Sequence, residues 1–175
     1  MKKYTLCVFS ALLINSFTTH ASDGQIRFTG SIIPNSCNVD TNYVNQIISL
    51  GKVPITTFNG INTTSSATPF SIKLKNCPTE YKKIQIKFDG RRDKTNNALL
   101  GLNPSSGGQA ATGVAIGIYN QSSLQLLPLN QEMEQHTINK QQEIEVRFIA
   151  KYIATGATII PGNANSLIHF NVIYD

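Results

Sequence analysis

Two pairs of carboxylates are the only closely spaced residues in this 175-residue chain that could support acid–base chemistry. They are Glu132/Glu134 and Glu143/Glu145, and residues two apart share one face of a strand. A solvated strand face explains such pairs more simply than a catalytic dyad does. The sequence contains no phosphate-binding loop, no G-x-S-x-G nucleophile motif and no H-E-x-x-H motif. We therefore expect no enzymatic activity and no cofactor.

The N-terminus indicates an exported protein. Lys2 and Lys3 precede an apolar stretch of about a dozen residues, shorter than the roughly 20 that span a bilayer as a helix. Thr19 and Ala21 then occupy positions −3 and −1 of a cleavage site. We predict a signal peptide at residues 1–21. Cleavage of the signal peptide removes Lys2 and Lys3 and lowers the formal net charge from +5 to +3. This small charge gives no reason to expect nucleic-acid binding.

Cysteine and histidine are too sparse for a metal site. Cys7 belongs to the predicted signal peptide, so the exported chain keeps Cys37 and Cys77, and an even pair in an exported chain indicates a disulfide. His136 and His169 are isolated and lie at no zinc-motif spacing. We therefore predict a Cys37–Cys77 disulfide and no metal.

Apolar and polar residues alternate in several short segments, bounded by clusters of Gly, Asn, Pro and Ser. A period of two is typical of half-buried antiparallel strands. The segments are Ile26/Phe28, Ile47–Ile48/Leu50, Phe70/Ile72/Leu74, Ile84/Ile86/Phe88, Val114/Ile116/Ile118, Ile144/Val146/Phe148 and Ile168/Phe170/Val172/Tyr174. No long helical pattern separates them, so the sequence predicts a single all-β sandwich. Antibody domains pack a Trp on their disulfide, and this chain contains no Trp. We therefore expect an immunoglobulin-like architecture at most, without the core of an antibody domain.

A further set of segments carries a family pattern through its order and spacing. These segments are Gly24–Ile33 followed by Cys37, Leu50–Val53, Phe70–Cys77, Gly113–Ile118, Arg147–Gly156, and the stretch from Gly162 to the penultimate Tyr174. Together they resemble the pilin subunits of type 1-like chaperone-usher fimbriae. The resemblance implies an incomplete immunoglobulin-like β-sandwich that lacks its final strand and is completed by a donor strand from another subunit.

The function that the resemblance implies is a structural subunit, major or minor, of a bacterial fimbria. Such a subunit polymerises by donor-strand exchange and supports cell adhesion. The expected partners are a periplasmic pilus chaperone, an outer-membrane usher, neighbouring subunits and host-surface glycans. The expected location is a fimbrium on the cell surface, reached through the periplasm.

The donor strand is expected in the N-terminal extension, residues 22–34, ahead of a pilin domain at residues 35–175. Alternation places Ile26, Phe28, Gly30 and Ile32 on one face, which would enter a neighbour's groove. A Gly inside a strand indicates a close approach by another group. The alternative is that this segment forms the first strand of its own domain.

The acceptor groove is expected beside the last strand. Ile168, Phe170, Val172 and Tyr174 form one apolar face there, and the resemblance implies that Gly162 and Tyr174 accompany chaperone recognition. The alternative is an ordinary core strand.

Two other interpretations stay open. The basic stretch from Lys82 to Lys94 could contact an anionic glycan, although a solvated sheet edge protected by lysines explains it more simply. The chain could also be a tip-located glycan-binding adhesin subunit instead of a fibre subunit. The sequence alone does not separate a shaft subunit from a minor one.

Overall fold

The computed structural model describes residues 24–33, 35–103, 108–131 and 134–174. The predicted signal peptide, with Cys7, and the donor-segment residues Ser22, Asp23 and Pro34 lie outside the described residues, as do Glu132 of the first carboxylate pair and Asp175. The chain divides after Ile33 into two units, residues 1–33 and 34–175. The described part of the first unit contains no helix and no strand, and its side chains are exposed.

The described residues of the second unit form seven strands and two short 3-10 helices. The strands are β1 (Asn38–Val39), β2 (Thr68–Lys75), β3 (Lys83–Gly90), β4 (Val114–Asn120), β5 (His136–Thr137), β6 (Ile144–Ala154) and β7 (Ile168–Tyr174). The 3-10 helices are Thr41–Tyr43 and Ile55–Thr57. Among the described residues, no helix is long and apolar enough to cross a membrane.

The strands form two antiparallel sheets. One has the order β1-β2-β6-β4 and the other the order β5-β3-β7. Apolar residues of both sheets share one core cluster, so the sheets pack face to face. Three rings lie at its centre, because Phe148 stacks on Phe70 at 5.2 Å and meets Phe88 edge-on at 5.1 Å between ring centroids. The predicted all-β sandwich is confirmed.

The disulfide prediction is also confirmed. Cys37 and Cys77 are bonded to each other, and both are buried. Cys37 precedes β1 and Cys77 follows β2, so the bridge joins the ends of two neighbouring strands instead of linking the two sheets.

Five of the seven predicted strands are present, as β2, β3, β4, β6 and β7. The prediction of a strand at Ile47–Leu50 was wrong, because this stretch forms no strand. Leu50 is half-buried against the core, but it forms no hydrogen-bonded strand pair, and Ile47 is 97 % exposed. The Gln46 amide donates to the Ser71 carbonyl at 2.9 Å and fastens this stretch to β2. Residues 24–33 also form no strand within the chain.

Candidate functional site: an open groove beside the last strand

The site begins with the unpaired edge of β7. This strand ends the three-stranded sheet and pairs only with β3, with Ile168 opposite Gly90 and Tyr174 opposite Ile84. Within the described part of the chain, no backbone hydrogen bond reaches the other edge of β7. Unpaired N–H and C=O groups along a strand are a template for a further strand.

The side chains of β7 alternate as the sequence predicted. Ile168, Phe170, Val172 and Tyr174 pack against the core but are only half-buried, whereas His169 and Asn171 are exposed. The apolar residues of β3 that pair with this face of β7 are buried. Phe88, for example, lies opposite Phe170 and is 2 % exposed. The core is therefore closed at β3 and open at β7.

A second wall comes from the stretch between β1 and β2, which sequence reasoning did not assign to the groove. Its apolar residues Leu50, Val53 and Phe58 are half-buried and pack against the same core as β7. The sequence carried a signal for this wall, since Leu50–Val53 is one of the segments of the family pattern. The overlapping alternation at Ile47–Leu50 was instead interpreted as a strand. We refer to the half-buried face and unpaired edge of β7, together with these half-buried residues, as the open groove.

A cavity of about 460 Å³ lies between the second wall and the stretch that precedes β7. Val53 and Phe58 line it from the second wall, and Tyr152 lines it from β6. Ala164 lines it from the stretch that leads into β7. The lining is mixed, because Lys52, Asn163 and Asn165 add polar groups to these residues. The Tyr152 hydroxyl donates to the Ala164 carbonyl at 2.8 Å.

Tyr174 lies at the end of β7. Its hydroxyl accepts a hydrogen bond from the Cys37 backbone N–H at 3.0 Å, and its ring lies 5.0 Å from that of Tyr81 between centroids. The end of β7 is thus fastened to the disulfide, at the point where the N-terminal segment enters the domain. Sequence reasoning named Tyr174 and Cys37 but did not foresee their contact.

Gly162 does not lie on β7 and has a clear packing role. A Cβ atom at this position would come 2.5 Å from the Gln109 carbonyl oxygen and 2.7 Å from the Ala111 nitrogen. The backbones approach so closely because the Asn163 N–H donates to the Gln109 carbonyl at 3.0 Å. Only glycine fits here without a shift of the backbone.

The predicted donor residues are exposed in the chain itself. Ile26 is 83 % exposed, Phe28 is 91 % exposed and Ile32 is 100 % exposed. Around Gly30 nothing lies within 4 Å of the position that a Cβ would take. Three large apolar side chains in water within seven residues are unfavourable unless another surface covers them.

The remaining candidate residues are engaged in ordinary surface interactions. Glu143 forms an ion pair with Lys73 at 3.0 Å, and Glu145 forms one with Arg147 at 3.3 Å. The hydrogen bond from Arg147 is the main reason that the pKa of Glu145 is below its usual value. Each of these two carboxylates is therefore paired with a basic side chain.

The histidines do not come together either. His136 is half-buried on β5, and burial lowers its pKa, while His169 is exposed on β7. Among the described residues, no three His, Cys, Asp or Glu side chains are grouped as metal ligands.

The fold and the open groove together define the pilus-subunit class of immunoglobulin-like proteins. The sequence model for "Fimbrial protein" matches residues 26–175. The chain therefore belongs to the fimbrial protein family.

Similar proteins agree with this assignment. The long polar fimbria protein A of Salmonella typhimurium is 34 % identical over 178 aligned positions, which cover 100 % of this chain and 98 % of that protein. The probable major fimbrial subunit LpfA of Escherichia coli O157:H7 is 33 % identical over 100 % of this chain and 98 % of its own.

Solved structures show the same fold. A type I fimbria protein of Burkholderia pseudomallei superposes with a TM-score of 0.59 at 32 % identity, over 84 % of this chain and 94 % of that one. The P pilus rod subunit PapA superposes with a TM-score of 0.65 at 19 % identity, over 81 % of this chain and 100 % of that one.

Proposed function

We propose that this fimbrial subunit is a non-enzymatic building block that joins the fibre by lending residues 22–34 to the open groove of a neighbouring subunit. The observation that carries the proposal is a match of two exposed apolar surfaces. The groove beside β7 lacks a strand, and Ile26, Phe28 and Ile32 lack a cover. An added strand would satisfy both at once.

The energetics favour such an exchange. Burial of one Phe and two Ile side chains contributes roughly 5 to 8 kcal/mol, at about 1.5 to 3 kcal/mol each. Hydrogen bonds along the unpaired edge of β7 add about 0.5 to 1.5 kcal/mol each. Gly30 would allow the two backbones to approach closely in a groove walled by half-buried side chains.

A periplasmic chaperone and an outer-membrane usher complete the proposal. A half-buried apolar face and an unpaired edge on β7 promote aggregation when they are left open in water. The exported chain therefore needs a transient cover for the groove before it reaches the cell surface. A chaperone strand that occupies the groove supplies that cover until the neighbour's donor replaces it.

Deletion of residues 22–31 tests the donor assignment. The shortened chain keeps Cys37 and the groove, so it should still bind the chaperone and form its disulfide. It should fail to join the preceding subunit. Surface fimbriae are counted by immunoelectron microscopy, and co-purification measures chaperone binding. Normal polymerisation of the shortened chain would refute the donor assignment.

The groove is tested from the other side by Val172→Asp. A charge on the groove face of β7 should abolish both chaperone binding and polymerisation, because an unpaired carboxylate is costly to bury. The matched control is Asn171→Asp, which adds the same charge on the exposed face of the same strand. Equal behaviour of the two variants would contradict the groove assignment.

We infer further that the chain is a shaft subunit. The support is likeness over the whole chain to a protein whose name is "probable major fimbrial subunit". Quantitative mass spectrometry of purified fimbriae measures its copy number. A shaft subunit should outnumber every other component by orders of magnitude, whereas one or a few copies per fibre would show a minor subunit.

A further inference from the structure

A second concave surface lies where β3 ends, and it carries three cations. It is a cavity of about 290 Å³ lined by Arg91, Arg92 and Lys94 together with one carboxylate, Asp93. We refer to it as the arginine cleft. Its remaining lining comes from Thr95, Gly101, Leu102, Ala110–Val114 and Thr155.

Both guanidinium groups are held by neutral acceptors. Arg91 donates from Nη1 to the Leu102 carbonyl at 3.1 Å. The side-chain amide of Asn130 is assigned the orientation that satisfies both of its neighbours, in which Arg92 donates from Nη2 to its oxygen at 3.1 Å and its nitrogen donates to Asp89 at 2.8 Å. Among the described residues, one N–H of each guanidinium is hydrogen-bonded, and since a guanidinium carries five N–H donors, the others can meet a ligand.

The positive charge of the arginine cleft is not neutralised locally. The ion pairs among the described residues involve Lys73, Lys75 and Arg147 and none of the three cations of the cleft. Asp93 contributes one negative charge, and its Oδ1 accepts the backbone N–H groups of Thr95 and Asn96 at 3.0 Å each, so the three cations leave the lining with a net positive charge. A concave site with net positive charge and oriented donors attracts anions.

The inner surface of the arginine cleft is formed by closely packed backbone. A Cβ on Gly101 would lie 2.9 Å from the Arg92 carbonyl oxygen, and the Gly101 N–H donates to the Arg91 carbonyl at 2.7 Å. These contacts fix the backbone that carries both arginines. The cleft is therefore built before a ligand arrives.

We propose that the arginine cleft binds a saccharide that bears carboxylate or sulfate groups. The cavity is close to the lower end of the roughly 300 to 1,000 Å³ range of small-molecule sites, a volume suited to a single sugar ring. Arg91 and Arg92 bind the anionic group through paired N–H donors, and Lys94 adds a point charge at the exposed rim. This activity is separate from polymerisation, because the three cations of the cleft do not line the cavity of the open groove and Val114 is the one residue that lines both.

The test uses the full exported chain and three immobilised probes: a sialylated saccharide, a sulfated heparin oligosaccharide and neutral lactose. The Arg91→Gln/Arg92→Gln variant should lose binding to an anionic probe about 10-fold or more, since hydrogen bonds to charged groups are the strong ones. Lys94→Gln, at the exposed rim, should weaken binding by a smaller factor and also serves if the double variant does not fold. Which anionic probe binds distinguishes carboxylate from sulfate recognition.

The matched control is Lys83→Gln/Lys87→Gln, which removes two charges from the same basic stretch outside the cleft. Retained binding in the control with loss in the arginine variant supports the proposal. An equal loss in both pairs would show non-specific charge attraction and overturn it. So would wild-type binding no stronger to the anionic probes than to lactose. A polymerisation defect of the arginine variant with normal saccharide binding would assign the cleft to subunit docking instead.

Discussion

The two sheets end in edge strands that contrast sharply. Strand β4 closes its sheet, with Val114 through Ile118 all buried, while β7 leaves its own edge open with the apolar face only half-buried. Leu100 exchanges backbone hydrogen bonds with Ile116 at 2.8 Å in both directions, and the Leu127 N–H donates to Ile118 at 2.8 Å. The chain thus covers one edge with its own loops, whereas the outer edge of β7 has no backbone partner among the described residues.

Substitution of one phenylalanine in each region gives the largest expected effect. Phe148→Ala should destabilise the chain by about 3 to 5 kcal/mol, because the ring is 1 % exposed at the centre of the core. Phe170→Ala on half-buried β7 should cost on the order of 1 to 2 kcal/mol in the free chain. Urea unfolding followed by far-ultraviolet circular dichroism measures both.

The same pair of variants sharpens the contrast when the groove is filled. With a donor peptide bound, the cost of Phe170→Ala should rise toward that of Phe148→Ala, since the ring becomes buried. An unchanged cost would mean that the donor does not cover Phe170.

Two glycines provide the second comparison. Gly162→Ala should cost about 1 to 3 kcal/mol, because its Cβ meets backbone atoms that cannot move away easily. Gly30→Ala should leave stability unchanged, because the space around it is empty in the chain, yet it should slow strand exchange. Thermal unfolding and the polymerisation rate separate the two effects. A stability loss in Gly30→Ala would show that this residue packs inside its own domain.

The end of β7 is tested by Tyr174→Phe. Loss of the hydroxyl leaves the Cys37 N–H without its acceptor, so stability should fall by about 1 kcal/mol. Tyr81→Phe is the control, because it removes the hydroxyl of the other ring of the pair without touching this hydrogen bond. Equal losses in the two variants would indicate that the effect does not come from the hydrogen bond to Cys37.

The smallest effect concerns pH and the closed sheet. The hydrogen bond from Lys75 and the backbone N–H of Asn42 hold the pKa of Asp40 below its usual value. A lowered pKa in the folded state stabilises the fold above the pKa of the unfolded chain, and this contribution is lost as the pH falls through the folded value. Asp40→Asn should therefore flatten the acid side of the stability–pH curve slightly. A curve identical to that of the wild type would show that the ion pair between Asp40 and Lys75 contributes nothing measurable.

The sequence predicted the positions of the long strands better than it predicted how the edges of the sheets are covered. Alternation located β2, β3, β4, β6 and β7 because these strands bury one face or both. It misassigned Ile47–Leu50, since half-burial against a groove produces the same pattern as half-burial in a sheet. The short strands β1 and β5, of two residues each, carry too few residues for a pattern.

The candidate site was partly predictable for the same reason. The face of β7 followed directly from alternation, whereas the contact between Tyr174 and Cys37 joins residues 137 positions apart and leaves no local signal. The packing role of Gly162 was also hidden, because the sequence does not reveal which backbone approaches it.

Amide hydrogen exchange tests the central claim most directly. The full chain is measured alone and with a peptide of residues 22–34, and a Phe28→Asp version of the peptide serves as control. Amides of β7 that point away from β3 should exchange rapidly in the free chain and become protected only with the natural peptide. Protection of these amides in the free chain, or no change on adding the natural peptide, would contradict the open groove and its donor.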